Sequence, residues 1–263
     1  MQFDLAFFLA IVFHPPAALL HGLWITVAST VLAMMLGIVL GVMLAIAGLG
    51  HSAPLRWTNQ AYIAFFRGTP ILVQLMLIYF GVPYLIGFDL FPPVFSLGPW
   101  LISGAMVAGV IAFGLHEAAY MSEIARAGIS SIAPGQAEAA KSLGMSRWLT
   151  MRKVILPQAI RVIVPPLGNQ FNAMFKTTSL LSVIAVPELF HVADAIHAAT
   201  YRTFEVYLGV SVYYLGLTFI WTVLQRRIEA HLKTEFVEAP ARDSLRAITE
   251  ARPTSAGIRK LPP

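Results

Sequence analysis

LWITVASTVLAMMLGIVLGVMLAIAGL, Leu23 to Leu49, contains no charged residue, and its length decides the kind of protein that carries it. A helix rises about 1.5 Å per residue and the hydrocarbon core of a bilayer is about 30 Å thick, so about 20 apolar residues cross it. This stretch is long enough to span. Within it, Gly37 and Gly41 stand in GxxxG spacing, which lets a second helix approach closely.

Working outward, four more segments qualify. One starts at RGTP, where Thr69 is a candidate N-cap and Pro70 suits a first helical turn, and runs to about Phe88. Before it, Arg56 to Phe66 reads as interfacial. A third span follows a turn rich in proline (Pro92, Pro93, Pro99) and extends from near Trp100 to about Ile124. The fourth covers roughly Val162 to Val186 and the fifth roughly Val206 to Leu224. The expected fold is an all-α, polytopic transmembrane helical bundle of about five spans.

Composition agrees. Of 263 residues, 57% are hydrophobic and 12% charged, with mean hydropathy +0.72, whereas a soluble domain carries about 25% charge. The net charge of +5 does not make nucleic acid a partner, because basic loops in a membrane protein report orientation. No cysteine is present, which excludes disulfides and thiol ligands.

The opening MQFDLAFFLAIVFHPPAALL lacks a basic leader, carries Asp4 and is broken by Pro15 and Pro16, so residues 1–22 are expected to be a retained interfacial segment. Residues 23–228 form the membrane domain. Residues 229–263 mix charge, proline and threonine without apolar period, which predicts a mostly disordered cytoplasmic tail. With the amino terminus outside and the carboxyl terminus inside, 16 of the 18 Lys and Arg residues fall on the inner side, from Arg56 to Lys260. Arg202 falls outside and Lys176 lies within the fourth span. Basic loops stay in the cytoplasm, so this orientation is the expected one.

The longest inner loop, Arg126 to Arg161, contains PGQAEAAKSLG. Pro134 and Gly135 open a short, small-sided helix that Gly144 can cap. Such a helix fits a groove on another protein, although composition alone favours a plain surface hairpin. A second helical stretch, SRWLTMRKVIL, has Ser146 as candidate N-cap and Pro157 as its end. The spacing of Glu138, Ala139, Ala140, Gly144, Val154, Leu156 and Pro157 resembles the EAA loop of ABC-importer permeases. FRGTPILVQL (Phe66 to Leu75), AYMSEIARAGI (Ala119 to Ile129) and KTTSLLSVI (Lys176 to Ile184) extend the resemblance to the polar amino acid, histidine/glutamine-type permeases.

That resemblance covers roughly Gly22 to Arg227 and implies type I ABC-importer architecture in a bacterial inner membrane. It implies a subunit without enzyme activity that binds no cofactor, while a cytoplasmic ATPase dimer uses ATP and Mg. It also implies a second permease subunit, identical or paralogous, and an extracytoplasmic substrate-binding protein. Gly135, Gln136, Glu138, Ala139, Ala140 and Gly144 would form the ATPase-docking element. Independently, no GxxxxGK[ST] phosphate loop occurs in the chain.

Inside the fourth span, Asn169, Asn172, Lys176 and Ser179 fall within an arc of about 80° at 100° per residue, with Thr177 alongside. A mid-membrane charge costs about 2.5 to 3.5 kcal/mol on insertion scales, so Lys176 should face protein or water. The stripe is a candidate substrate path: Lys176 for a carboxylate and Glu117, on the third span, for an ammonium group. An ion pair between helices is the structural alternative. The family pattern usually has an acidic or amide residue after this lysine, and here Thr177 stands there. Glu123 and Arg126, spaced i, i+3, are a candidate structural pair.

Two rivals merit statement. HEAAY at His116 to Tyr120 resembles the zinc-binding HExxH of metalloproteases, so an intramembrane metalloprotease is one rival, but Tyr120 stands in place of the second histidine and leaves the metal site incomplete. A passive channel also uses polar stripes, but it gives no reason for the EAA loop. His191, Asp194 and His197 share ligand-like types and are read as ordinary polar loop residues.

Overall fold

The computed structural model describes residues 3–50, 52–97 and 100–234. Residues 235–263, which hold most of the tail, and Pro99 of the proline-rich turn lie outside the described residues.

Asp4 accepts from the Phe7 amide at 3.0 Å and opens α1 (Leu5–Phe13). Pro16 breaks the chain and begins α2 (Ala17–Leu49), so the last residues of the expected interfacial segment are already helical. Next come α3 (Ala53–Gly68), α4 (Ile71–Met76), a π turn at Leu77–Gly81 and α5 (Val82–Ile86), the last ending on Gly87 at φ +68°. A two-stranded antiparallel hairpin follows, β1 (Val94–Leu97) and β2 (Trp100–Ser103), pairing Val94 with Ser103. The third span therefore starts at Gly104, not Trp100, as α6 (Gly104–Ser130).

Beyond α6 lie α7 (Pro134–Ser142), α8 (Arg147–Thr150), a π turn at Met151–Ile155 and α9 (Leu156–Thr177). A 3-10 segment at Thr178–Ile184 leads to α10 (Leu189–Thr200) and α11 (Thr203–Thr234). Pro157 does not end its helix. It falls in the first turn of α9, and the π turn before it lets the backbone accommodate the ring without breaking the run.

Among the described residues, three helices are long and apolar enough to cross a membrane: Ala17–Gly48, Gly104–Ser130 and Thr203–Leu232. Two bent pairs raise the number to five if each is one span, Ala53–Gly68 with Ile71–Ile86 at 107° and Arg147–Ile184 with Leu189–Thr200 at 54°. Thr69 caps no following helix. Its hydroxyl donates back to Phe65 O at 2.8 Å and accepts from Gln74 Nε2 at 2.7 Å. Gln74 also donates to Phe66 O and Thr69 O, so one buried side chain ties together the sharp bend between α3 and α4.

The α6 helix is the axis of the bundle. Ala108, Ala112, Phe113, Ala118 and Ala119 are fully buried along it. Its closest partner is α2, because the GxxxG face admits the backbone: a Cβ on Gly37 would stand 2.7 Å from Glu117 Cβ, and one on Gly41 would collide with Met121 Cβ. A second cluster, including Ile11, Leu19, Leu189 and Val206, joins α1, α2, α10 and α11. On α11, Leu215, Phe219 and Ile220 remain exposed, as a lipid-facing helix requires.

Candidate functional site

Two places carry the candidate residues: the small helix α7 beyond the carboxyl-terminal end of α6, and the polar segment of α9. Pro134 begins α7, where its missing N–H costs nothing. Gly144, at φ +77°, ends the turn after it, while Met145 N returns to Ala140 O at 3.1 Å. This left-handed closure favours glycine. Gly135, Gln136, Glu138, Ala139 and Gly144 are exposed. Ala140 is buried instead, turned toward the chain, so it holds the helix in place rather than presenting a surface. Gln158 Nε2 donates to Gln136 Oε1 at 3.3 Å and links α7 to α9. Ser146 caps α8 by accepting from Leu149 N. The exposed Leu143 and Trp148 flank this small-residue face with apolar surface.

The stripe on α9 is less uniform than its angular arithmetic. Asn169 and Lys176 are exposed and Asn172 is half-buried. The Thr177 hydroxyl donates to Ala173 O and the Ser179 hydroxyl to Lys176 O. These hydroxyl protons already serve their own helix. Beyond Thr177 the chain tightens into 3-10 geometry, at 3.0 residues per turn, which rotates Ser179 away from the α-helical register. Asn172 Oδ1 is buried without a hydrogen-bond partner.

Glu117 is brought to Gln170, not to Lys176: Gln170 Nε2 donates to Glu117 Oε2 at 3.3 Å. Among the described residues Lys176 is in no ion pair. Glu123 accepts from Arg126 Nε at 3.0 Å and also from Arg67 at 3.4 Å, which adds α3 to the pair on α6. His116 Nδ1 lies 2.9 Å from Gln74 Oε1, and no group of three potential metal ligands occurs among the described residues. Gln74 spends both amide protons on acceptors around the α3–α4 bend, so its oxygen accepts and His116 Nδ1 donates.

Sequence reasoning missed the joint at Glu188. Fully buried, it caps α10 by accepting from Phe190 N and His191 N, and it accepts from Tyr214 of α11 at 3.1 Å and Thr26 of α2 at 3.4 Å. The available signal was an acidic residue after VP in an apolar stretch, a position where a buried carboxylate needs partners.

A bundle of this topology with an exposed small helix in the loop between α6 and α9 defines the membrane subunit of a type I ABC importer. The chain belongs to the family of binding-protein-dependent transport system inner membrane components, whose model matches residues 37–234. It is a permease subunit, a non-catalytic part of a transporter. A probable amino-acid ABC transporter permease protein, YckA of Bacillus subtilis, is 40% identical over 80% of this chain and 87% of its own length. The L-cystine transport system permease protein TcyB of the same organism is 38% identical over 80% of this chain and 85% of its own. A crystal structure of an amino acid ABC transporter with histidines covers 88% of this chain and 100% of that chain, with TM-score 0.75 and 38% identity. The MetNI methionine ABC transporter, at 18% identity and TM-score 0.65, covers 81% of this chain and 95% of that chain and supports the fold alone. Neither the channel nor the metalloprotease reading receives support from these relatives.

Proposed function

We propose that the chain is the permease of an importer for a polar amino acid, with its amino terminus outside and its carboxyl terminus in the cytoplasm. The observation that carries the docking part is the exposed small-residue face of α7, closed by Gly144 at φ +77°. Gly135, Gln136, Glu138 and Ala139 enter a groove of a cytoplasmic ATPase dimer, which binds ATP and Mg, while this chain binds no cofactor. ATP binding draws the two ATPases together and pulls α7. Because α7 is tied to α9 through Gln136 and Gln158, that motion reaches the polar segment. A second permease subunit completes the path, and an extracytoplasmic binding protein delivers substrate.

Amino acids share a carboxylate and an ammonium group. Lys176 meets the first, and the Glu117–Gln170 pair with Asn169 and Asn172 supplies acceptors for the second. Relatives named for amino acids as different as cystine and arginine support this shared chemistry. The test is uptake of labelled amino acids by proteoliposomes holding the complete complex and its binding protein. ATP-dependent uptake that is lost on Glu138→Arg with the complex still assembled is expected. ATP-independent flux would return the reading to a channel.

A further inference from the structure

The helix α9 does different work at its two ends. Its first half is tied to α7 by the hydrogen bond from Gln158 to Gln136, and it packs tightly on α6, where a Cβ on Gly128 would strike Ile163. Its second half carries Asn169, Asn172 and Lys176 and reaches Glu117 through Gln170. Pro165, Pro166, Leu167 and Gly168 stand between the halves. We propose that this stretch is a hinge and that Trp221 and Gln225 of α11 are positioning residues that hold it, so that movement of α7 turns the path-lining half of α9 instead of being lost at the joint. The inference rests on the importer reading above, in which α7 is the part that is pulled.

Three observations carry it. The first is the backbone. Proline has no N–H to give the preceding turn, and its ring presses on that turn's carbonyl, so Pro165 and Pro166 remove two successive rungs inside α9. Helices bend sharply at proline and where a side chain enters the hydrogen-bond ladder. Both features fall within residues 165–168, yet α9 runs unbroken from Leu156 to Thr177. The second is what α11 adds there. Trp221 Nε1 donates to Gly168 O at 2.8 Å and Gln225 Nε2 to Pro165 O at 3.2 Å. The two donors bracket the joint. The same Gln225 nitrogen donates to Glu229 Oε1 at 2.8 Å, one turn further along α11, which fixes the amide. The Trp221 ring stacks on Phe171 at 3.9 Å and 12°, which secures the start of the path-lining half.

The third observation is Gly168. Glycine weakens a helix interior relative to alanine, and this one is buried, where a Cβ would strike the side-chain amide of Gln225. Its missing side chain is the seat of the Gln225 clasp. Without the clasp the joint has no fixed bearing, and a pull arriving through Gln158 flexes the first half and leaves Lys176 where it was. With it, α9 bends at one place.

Proteoliposomes holding the complete transporter and its binding protein test the proposal, with uptake and ATP hydrolysis measured in the same vesicles. Each common labelled amino acid is assayed singly, and the best-transported one is used for the variants over a range of concentrations. Trp221→Phe keeps a ring on Phe171 but removes the N–H, and Gln225→Met keeps the volume but removes the amide. Each should lower the substrate imported per ATP hydrolysed roughly three- to tenfold, the worth of one hydrogen bond, with half-saturation and assembly unchanged. Gly168→Ala should match Gln225→Met, and the two together should be no worse than either, because both remove the same clasp. Pro165→Ala/Pro166→Ala restores the two rungs, so its unfolding temperature should rise while maximal uptake falls. A wild-type ratio of import to hydrolysis in Trp221→Phe and Gln225→Met, hydrolysis and uptake falling in parallel with loss of assembled complex, or proline replacement that leaves uptake intact would overturn the hinge. ATP-independent uptake by the wild-type complex would instead overturn the importer reading, so the two failures are distinct.

Discussion

A Cβ on Gly37 would stand 2.7 Å from Glu117 Cβ, so the glycine face of α2 and the buried carboxylate of α6 are one feature. Close approach of the two helices leaves Glu117 open to Gln170 of α9, and packing and polar chemistry share a wall. Gly37→Ala should therefore overpack the contact and cost about 1–3 kcal/mol. Unfolding in a fixed detergent measures it, and unchanged stability would show that the helices can separate without loss.

Glu188 makes a second prediction. Glu188→Ala removes the cap of α10 and strands the Tyr214 hydroxyl, for a combined loss of about 2–4 kcal/mol. Tyr214→Phe removes one donor and should cost about 1 kcal/mol. Thermal unfolding of the two variants reads the difference. Equal losses would mean that the joint depends on the tyrosine alone.

At the loop, Gly144→Ala forces a Cβ into φ +77° with open space around it. The strain is about 1 kcal/mol, too small to unfold the chain. Stimulated ATP hydrolysis and uptake should nonetheless fall together, because the turn sets the angle of α7. Ala140→Leu acts differently, overfilling a buried position. It should lower the yield of assembled complex before it lowers turnover.

Asp4 gives a pH dependence at the amino-terminal end. The Phe7 amide hydrogen bond, followed by the Arg202 charge, holds its carboxyl below the ordinary 3.8. A lowered folded value means that the stabilising contribution is complete above 3.8 and lost as pH falls through the lowered value. Arg202 also pairs with Asp4 at 2.7 Å and lies 4.2 Å from the Phe7 ring centroid, so α1 should remain docked at pH 5 and loosen only in stronger acid. Hydrogen exchange at the Phe7 amide follows it, and Asp4→Asn should reduce the acid loss to the part contributed by Glu205, which accepts from the Asp4 amide at 2.8 Å and is itself held below its ordinary value by that bond. Loosening already near pH 6 would point to another group.

Lys176→Gln should abolish high-affinity uptake while the complex assembles normally, since Lys176 is in no ion pair among the described residues. Loss of assembly instead would assign the lysine to the interface with the second subunit.

Several features were legible before any coordinates. Charge-free length at Leu23 to Leu49 requires a membrane, because no soluble core of this size is so apolar. The Gly144 cap, the Ser146 cap and the Glu123–Arg126 spacing follow from local backbone rules, which act within a turn or two. What only the tertiary structure decided depends on partners distant in sequence. Gln74 binds the 107° bend through carbonyls of the preceding helix, and Glu188 gathers donors from α2, α10 and α11. Ala140 turns inward, and the hydroxyls of Thr177 and Ser179 are taken by backbone. Periodicity states which way a side chain points. Whether a proton, a lone pair or a space is still free there is settled by the helix that arrives opposite.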